Sequence, residues 1–383
     1  MPVTSDLLAE TTSFLNTLFA HCETHMASDI HLCAGLEPRF RVQGVLRPVA
    51  NYGVARPNLI ETLGLVLASG TLPPSEKDPL NAARQQLLAN GSVDGATTSP
   101  GGHRYRFNVF RENASTAIAL RRLDDRFLSL DELGLPPQLG DFCLLPDGLV
   151  VVTGPTGSGK STTLATLIEE INLTRDGHII TIEDPVEYVH QSHRSLVHQR
   201  QIGRDATSFN SALVDSLRQD PDVILVGEIR ELETIRTAIT AAETGHLVFT
   251  TLHAGDCVGA IERLVSVFPS SEQDGIRRQL SLVLRGIFAQ HLLSPAQAGG
   301  RRVACGELLI VTSAIANLIA TGKSQQIYSS IETGGAQGMQ TLDQALAKLL
   351  SAGKIGEQTA SSITRNPSLL KDWLRAENGK RRP

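Results

Sequence analysis

Residues Gly154-Pro155-Thr156-Gly157-Ser158-Gly159-Lys160-Ser161 form a glycine-rich turn that ends in a lysine and a hydroxyl. This is the G-x4-G-K-[ST] spacing that cradles a nucleoside phosphate. The glycines let successive backbone N–H groups point inward at the phosphate, beside the start of a helix. Lys160 adds a point charge for the β/γ oxygens, and Ser161 a hydroxyl for Mg²⁺, with Thr162 following it in the first turn. A glycine turn that served packing alone would need no such surroundings. Here the apolar run Leu149–Val152 precedes the loop and a helical pattern, Ser161–Ile171, follows it. That strand–loop–helix context is the one a phosphate loop requires.

Phosphoryl chemistry also needs an acid nearby, and two strand ends offer one. Val223-Ile224-Leu225-Val226-Gly227-Glu228 is an apolar run closed by a carboxylate. Gly227 stands where many such enzymes place a Mg²⁺-binding Asp, so Glu228 carries the chemistry of that strand end. The metal is then left to Ser161 and water. Ile180-Thr181-Ile182-Glu183-Asp184 ends in acids as well. Ligands of open α/β sheets bind at the C-terminal ends of strands, so Glu183 and Glu228 can face one phosphate. The alternative for either is a solvated strand terminus. His246 and His253 flank a third apolar strand and read as sensors of the nucleotide state rather than core histidines. His190, His193 and His198 show no metal-ligand spacing and read as surface residues.

These groups are positioned by strands that alternate with helices. Strands are expected at 149–152, 178–182, 223–226 and 247–251, and helices at 161–171, 209–217, 234–242 and 258–267. Such alternation implies parallel strands with crossover helices, an α/β core. Beyond about residue 275 the pattern turns mostly helical. The first 122 residues have another texture. Apolar residues at helical spacing over 7–22 predict an amphipathic helix. Polar and apolar residues then alternate at 29–32, 39–42, 104–110 and 116–120, as in half-buried strands. The stretches 71–79 and 90–102 read as loops, the second on its Gly, Ser and Thr content. Asp124–Pro137 fits an interdomain linker, and the basic, polar last ten residues read as a disordered tail.

The chain has 383 residues, 41% of them hydrophobic and only 4% aromatic. Two or three domains with aliphatic cores fit that length. The formal net charge of −5 argues against a general nucleic-acid binder, which carries a basic excess. The five cysteines are scattered without a CxxC pair, which disfavours disulfides and a cysteine zinc site. The N-terminus shows no signal peptide, and no apolar run reaches membrane-spanning length.

The motifs go beyond a generic phosphate loop. GPTGSGKSTTLATLI (154–168), HIITIEDPVEYVH (178–190) and the stretch from Ser216 to Ala254 closely resemble the secretion ATPase superfamily, type II/type IV, and within it the PilT-type twitching-motility branch. ASDIHL (27–32), RYRFNVF (104–110) and ETGGAQGMQTLDQAL (332–346) extend the resemblance over nearly the whole chain. It implies an ATP- and Mg²⁺-dependent hydrolase, a homohexamer of subunits with nucleotide between the two domains. A PAS-like α+β domain (1–122), a linker (123–130), a RecA-like P-loop ATPase domain with C-terminal helices (131–370) and a tail (371–383) follow from it.

By the same resemblance Lys160 and Ser161 are Walker A residues and Glu183 positions the attacking water. Glu228 is the Walker B acid, and His246 and His253 form a His box. Arg104, Arg106 and Arg121 would bring charge to a phosphate. The implied setting is cytoplasmic, peripheral at the inner membrane, on a pilus platform protein, with no direct nucleic-acid contact. The branch carries Ala-Ile-Arg in its C-terminal helices where this chain has Ala314-Ile315-Ala316, and segment 70–102 looks lengthened. A conjugative or secretion motor, a RecA-like DNA-dependent ATPase and a catalytically weak regulatory subunit are the alternatives.

Overall fold

The computed structural model describes residues 3–380, apart from 43, 50–51, 124–125 and 298–299. Residues 124–125 of the expected linker and 381–383 of the expected tail therefore lie outside the described residues. The chain divides into two compact units. The first holds Met1–Arg126 together with Glu183–Val189 and Arg200–Ser208; the second holds Phe127–Ile182, His190–Gln199 and Phe209–Pro383.

The first unit opens with helix α1 (Ser5–Thr24), capped by the Thr4 side chain, which accepts from the Leu7 N–H. Its buried residues, Thr11, Leu15, Leu18, Phe19 and Cys22, recur at helical spacing and so form one stripe. Strands β1 (Asp29–Cys33), β2 (Arg39–Val42) and β3 (Val45–Pro48) follow, then helices α2 (Pro57–Ser69) and α3 (Pro79–Asn90), then β4 (Ser92–Thr98), β5 (Arg104–Glu112) and β6 (Ser115–Arg122). The six strands make one sheet in the order β3-β2-β1-β6-β5-β4. Phe19 meets Tyr105 with ring centroids 4.4 Å apart in the core. The loop expected over 90–102 is mostly strand β4. Its small residues conceal the alternation: Val93 and Gly95 face inward, and a Cβ on Gly95 would lie 2.4 Å from the Phe107 ring.

The second unit contains α4 (Leu130–Leu133), β7 (Gly148–Thr153), α5 (Lys160–Thr174), β8 (His178–Glu183) up to Ile182, and β9 (Leu196–Gln201) up to Gln199. Next come α6 (Phe209–Ser216), β10 (Val223–Val226), α7 (Leu232–Glu243), β11 (Leu247–Leu252), α8 (Cys257–Ser266) and α9 (Ser270–Val283). The sequence closes with β12 (Leu284–Leu293), β13 (Val303–Ile310), α10 (Ser313–Ala320), α11 (Ile327–Thr333), α12 (Leu342–Ser351), α13 (Glu357–Ile363) and α14 (Pro367–Lys380). The sheet order is β13-β12-β7-β11-β10-β8-β9. Strands β12, β7, β11, β10 and β8 run parallel, and every residue of β7, β10 and β11 is buried. Helix-covered parallel strands read as continuous apolar runs for this reason.

One expectation is qualified here and two are corrected. The region after 275 is mostly helical, but within it LRGIFAQHLL and VACGELLI form the antiparallel pair β12–β13; such apolar runs carry no period that separates strand from helix. Residues 371–380 are not a disordered tail but continue α14, whose Leu370 is buried in a cluster with Leu293 and Leu346, against which Trp373 and Leu374 pack. His190 is not at the surface. It is buried, its Nδ1 2.6 Å from Glu169 Oε2 and its ring 4.7 Å from that of Phe127.

The β12–β13 pair leaves no room at Gly306, where a Cβ would sit 2.4 Å from the Phe288 ring and 2.7 Å from the Ala289 carbonyl. Gly306→Ala should therefore destabilise the second unit by about 1–3 kcal/mol through overpacking. The check is a urea titration followed by the fluorescence of Trp373, the chain's one tryptophan; the midpoint should fall with the slope unchanged.

Candidate functional site

Strand β7 runs through the middle of the parallel sheet and delivers Gly154 at its C-terminal end. Gly154, Gly157 and Gly159 have φ of +144°, +76° and +93°, a region that costs glycine nothing and other residues strain. Space forbids side chains as well. A Cβ on Gly154 would lie 2.2 Å from the Gln290 carbonyl oxygen, and one on Gly159 would lie 2.9 Å from Gln290 Nε2. Helix α5 starts at once with Lys160, so the loop leads straight into the N-terminus of a helix, where the backbone dipole favours an anion. Lys160 Nζ donates to the carbonyls of Gly154 (3.0 Å) and Pro155 (3.1 Å). Pro155, Thr156 and Ser161 are exposed and Thr162 is half-buried. Ser158 is buried, and its Oγ has no hydrogen-bond partner among the described residues. A backbone cradle that admits no Cβ, with an orphaned hydroxyl and a lysine at its mouth, fits a phosphate group.

The ends of β10 and β11 lie beside this loop. Leu252 pairs with Thr153 in the parallel register, so His253 follows at the same sheet edge as Gly154. Thr251 Oγ1 donates to the Gly227 carbonyl at 2.6 Å, tying the two strand ends together. Glu228 accepts from Arg230 Nε, and His253 Nε2 lies 3.1 Å from Glu228 Oε1. Burial lowers the pKa of His253, and the charge of Lys160 lowers it further, against the opposing pull of Glu228. Lys160, Glu228 and His253 thus share one corner of the second unit.

His246 does not join them. It precedes β11, and its carbonyl accepts from the Gly148 N–H at the opposite edge of the sheet. Seven residues of extended chain at about 3.3 Å each separate it from His253, roughly 20 Å. Its Nδ1 instead lies 2.9 Å from the Ala241 carbonyl in the last turn of α7. Histidines that flank a strand must end at its two ends, so the pair cannot meet around one phosphate.

In the first unit, Glu183 ends β8 and its carbonyl accepts from the Ile202 N–H at 2.9 Å. Arg104 reaches the same segment, donating from Nη2 to the Val186 carbonyl at 3.2 Å and from Nη1 to Thr98 Oγ1 at 3.1 Å. Burial and the charge of Arg204 lower its pKa, against the effect of Glu183. Arg106 Nη1 lies 3.5 Å from Glu187 Oε1. Arg121 goes elsewhere: its Nε donates to Asp29 Oδ1 at 2.8 Å, directly across the β1–β6 pair. Burial would raise the Asp29 carboxyl, but the Ser28 hydroxyl and Arg121 outweigh it and hold it below its ordinary value. Arg104 and Arg106 gather at the 183–189 segment and Arg121 does not.

Three contacting residues were absent from the sequence reading: Gln290 behind the loop, Arg230 on Glu228, and Arg302, whose Nη1 donates to the Gly157 carbonyl at 3.2 Å. The one signal for Gln290 was a lone amide in an apolar run.

A family model described as type II/IV secretion system protein matches residues 6–354. The chain is 41% identical to the type IV pilus retraction ATPase PilT of Pseudomonas aeruginosa, over 92% of this chain and 98% of that protein. It is 47% identical to a twitching motility protein of Neisseria gonorrhoeae, over 74% of this chain and 75% of the relative. The crystal structure of the pilus retraction motor PilT with bound ADP superimposes with a TM-score of 0.83 at 42% identity, covering 93% of this chain and 98% of that one.

The corner at His253 has a titration signature. A histidine whose folded pKa is depressed stays neutral as the pH falls through about 6.5, while the unfolded chain already takes up its proton. Its contribution to stability is present above that pH and is lost as the pH falls through the folded value. In selectively labelled protein, histidine NMR titration should place His253 below the ordinary value. Lys160→Met should raise it and Glu228→Gln lower it; a His253 that ignores both changes would mean that the three side chains do not share a field.

Proposed function

The chain belongs to the type II/IV secretion system protein family, and we propose that it is an ATP-hydrolysing motor of the pilus-retraction kind. The observation that carries this reading is the corner of Lys160, Glu228 and His253 at a loop that only glycines can build. Likeness over nearly the whole length to a retraction ATPase, and to a retraction motor solved with ADP, supports it.

On this reading the phosphates of ATP take the loop N–H groups, and Lys160 exchanges the carbonyls of Gly154 and Pro155 for β/γ oxygens. Ser161, exposed at the start of α5, would hold Mg²⁺ together with the nucleotide. The ion supplies charge neutralisation on the phosphate oxygens. Glu228 polarises water once Arg230 and His253 release it, and Glu183 aids in positioning that water. Arg104 and Arg106 supply positive charge by exchanging Val186 and Glu187 for a phosphate. Arg121, engaged by Asp29, is left out of the chemistry.

The working form on this reading is a homohexamer, peripheral at the inner membrane and acting on a pilus platform protein. No helix of the described residues is long and apolar enough to cross a membrane. Ala316 stands on α10, where Ala314 and Asn317 are exposed and Ile315 and Ile319 are buried. Without the arginine of the branch, force output on this reading depends on a different contact or on a paralogous partner.

Lys160→Ala should abolish hydrolysis with the fold intact. Glu228→Gln should keep ATP binding but lower kcat at least about a hundredfold, the lower end for a positioned base. Light scattering with ATP and Mg²⁺ should give about six protomers, and deletion of the gene should stop pilus retraction. Normal turnover in Lys160→Ala, or retraction unaffected by the deletion, would overturn the reading.

A further inference from the structure

We propose that Gln290 is a positioning residue that holds the phosphate loop in its anion-binding shape. The inference rests on the reading of residues 154–161 as that loop. In the parallel register Ala289 pairs with Thr153, which brings Gln290 level with Gly154. Gln290 is only 3% exposed, an amide that follows the apolar run Ile287-Phe288-Ala289, and three of its atoms are used. Its main-chain oxygen occupies the space a Cβ on Gly154 would need. Its Oε1 accepts from Thr163 Oγ1 at 2.6 Å, on the fully buried Thr163 of α5. Its Nε2 abuts Gly159.

One residue therefore touches the first glycine of the loop, the last glycine, and the helix that follows. A loop with three glycines is costly to hold in one conformation. Its N–H groups bind phosphate well only if they already converge before the ligand arrives. The backing by Gln290 supplies that order. Arg302, just before β13, adds a hydrogen bond from Nη1 to the Gly157 carbonyl. Gln290 lies behind the loop rather than at its mouth, so it acts on affinity for the phosphate and not on the attacking water.

The test compares Gln290→Leu, Thr163→Val and the double variant by steady-state ATPase kinetics, by calorimetry with ADP, and by thermal melting without nucleotide. Thr163→Val keeps the shape of the side chain and removes only the hydroxyl, so it carries the test if Gln290→Leu fails to fold. Each single change should raise KM for ATP and Kd for ADP by about tenfold, the worth of one buried hydrogen bond. The kcat should stay within about threefold, and the double variant should be no worse than the weaker single. A lower melting temperature with KM and Kd unchanged would reduce Gln290 to a core residue and overturn the proposal. So would a fall in kcat at constant KM, or effects of the two changes that simply add. Lys160→Ala separates the two claims. If it hydrolyses ATP and binds ADP normally, the loop reading itself fails; if it is inactive while Thr163→Val and Gln290→Leu behave as the native protein, only the role of Gln290 fails.

Discussion

The close approach of two backbones at Gly154 and Gln290 sets the terms for the rest of the second unit. With no Cβ at Gly154, the chain leaving β7 can turn back over the sheet edge and start α5 within six residues. That turn is possible only because β7 lies between β11 and β12, buried along its whole length, so both flanking strands arrive in register with it. The same register carries His253 and, through Thr251 and Gly227, Glu228 to the same edge. Chemistry at the edge thus follows from apolar burial in the middle, the usual logic of open parallel sheets.

Each charged group at that edge has a partner in the protein. Lys160 holds two carbonyls and Glu228 holds Arg230 and His253; within the first unit, Arg104 likewise holds the Val186 carbonyl. These pairings keep partly buried charges satisfied, since an unpaired buried charge is costly. They also set the order of binding events, because a phosphate or a water must displace a named partner before it is gripped. Exposed arginine pairs such as Arg230 with Glu228 are weak enough to give way.

Much of the second unit was legible in the sequence. The glycine spacing at 154–159 admits few conformations, and the apolar runs at 149–152, 223–226 and 247–251 are read as buried strands because they alternate with helical patterns. The failures have a common cause. At 284–293 and 303–310 strand and helix look alike in a short apolar run, and at 92–98 glycine and threonine replaced the large residues that mark alternation. Gln290 was hidden because its role depends on which strand lies next to β7, a fact of topology. His246 was misplaced since sequence proximity to His253 says nothing about which end of a strand each occupies. For Arg121, pairing with Asp29 depends on a register between β1 and β6 set ninety residues apart.

The interleaving of the two units bears on how the protein is made. The pieces Glu183–Val189 and Arg200–Ser208, which belong to the first unit, are encoded within the second. On a ribosome, domains fold as their residues emerge, N-terminal ones first. Here the sheet and core of the N-terminal unit are complete by residue 122, whereas its two remaining segments follow only after β7, the phosphate loop and β8 have been synthesised. A gene fragment ending at residue 126 would thus encode the sheet and core of the first unit without two of its parts.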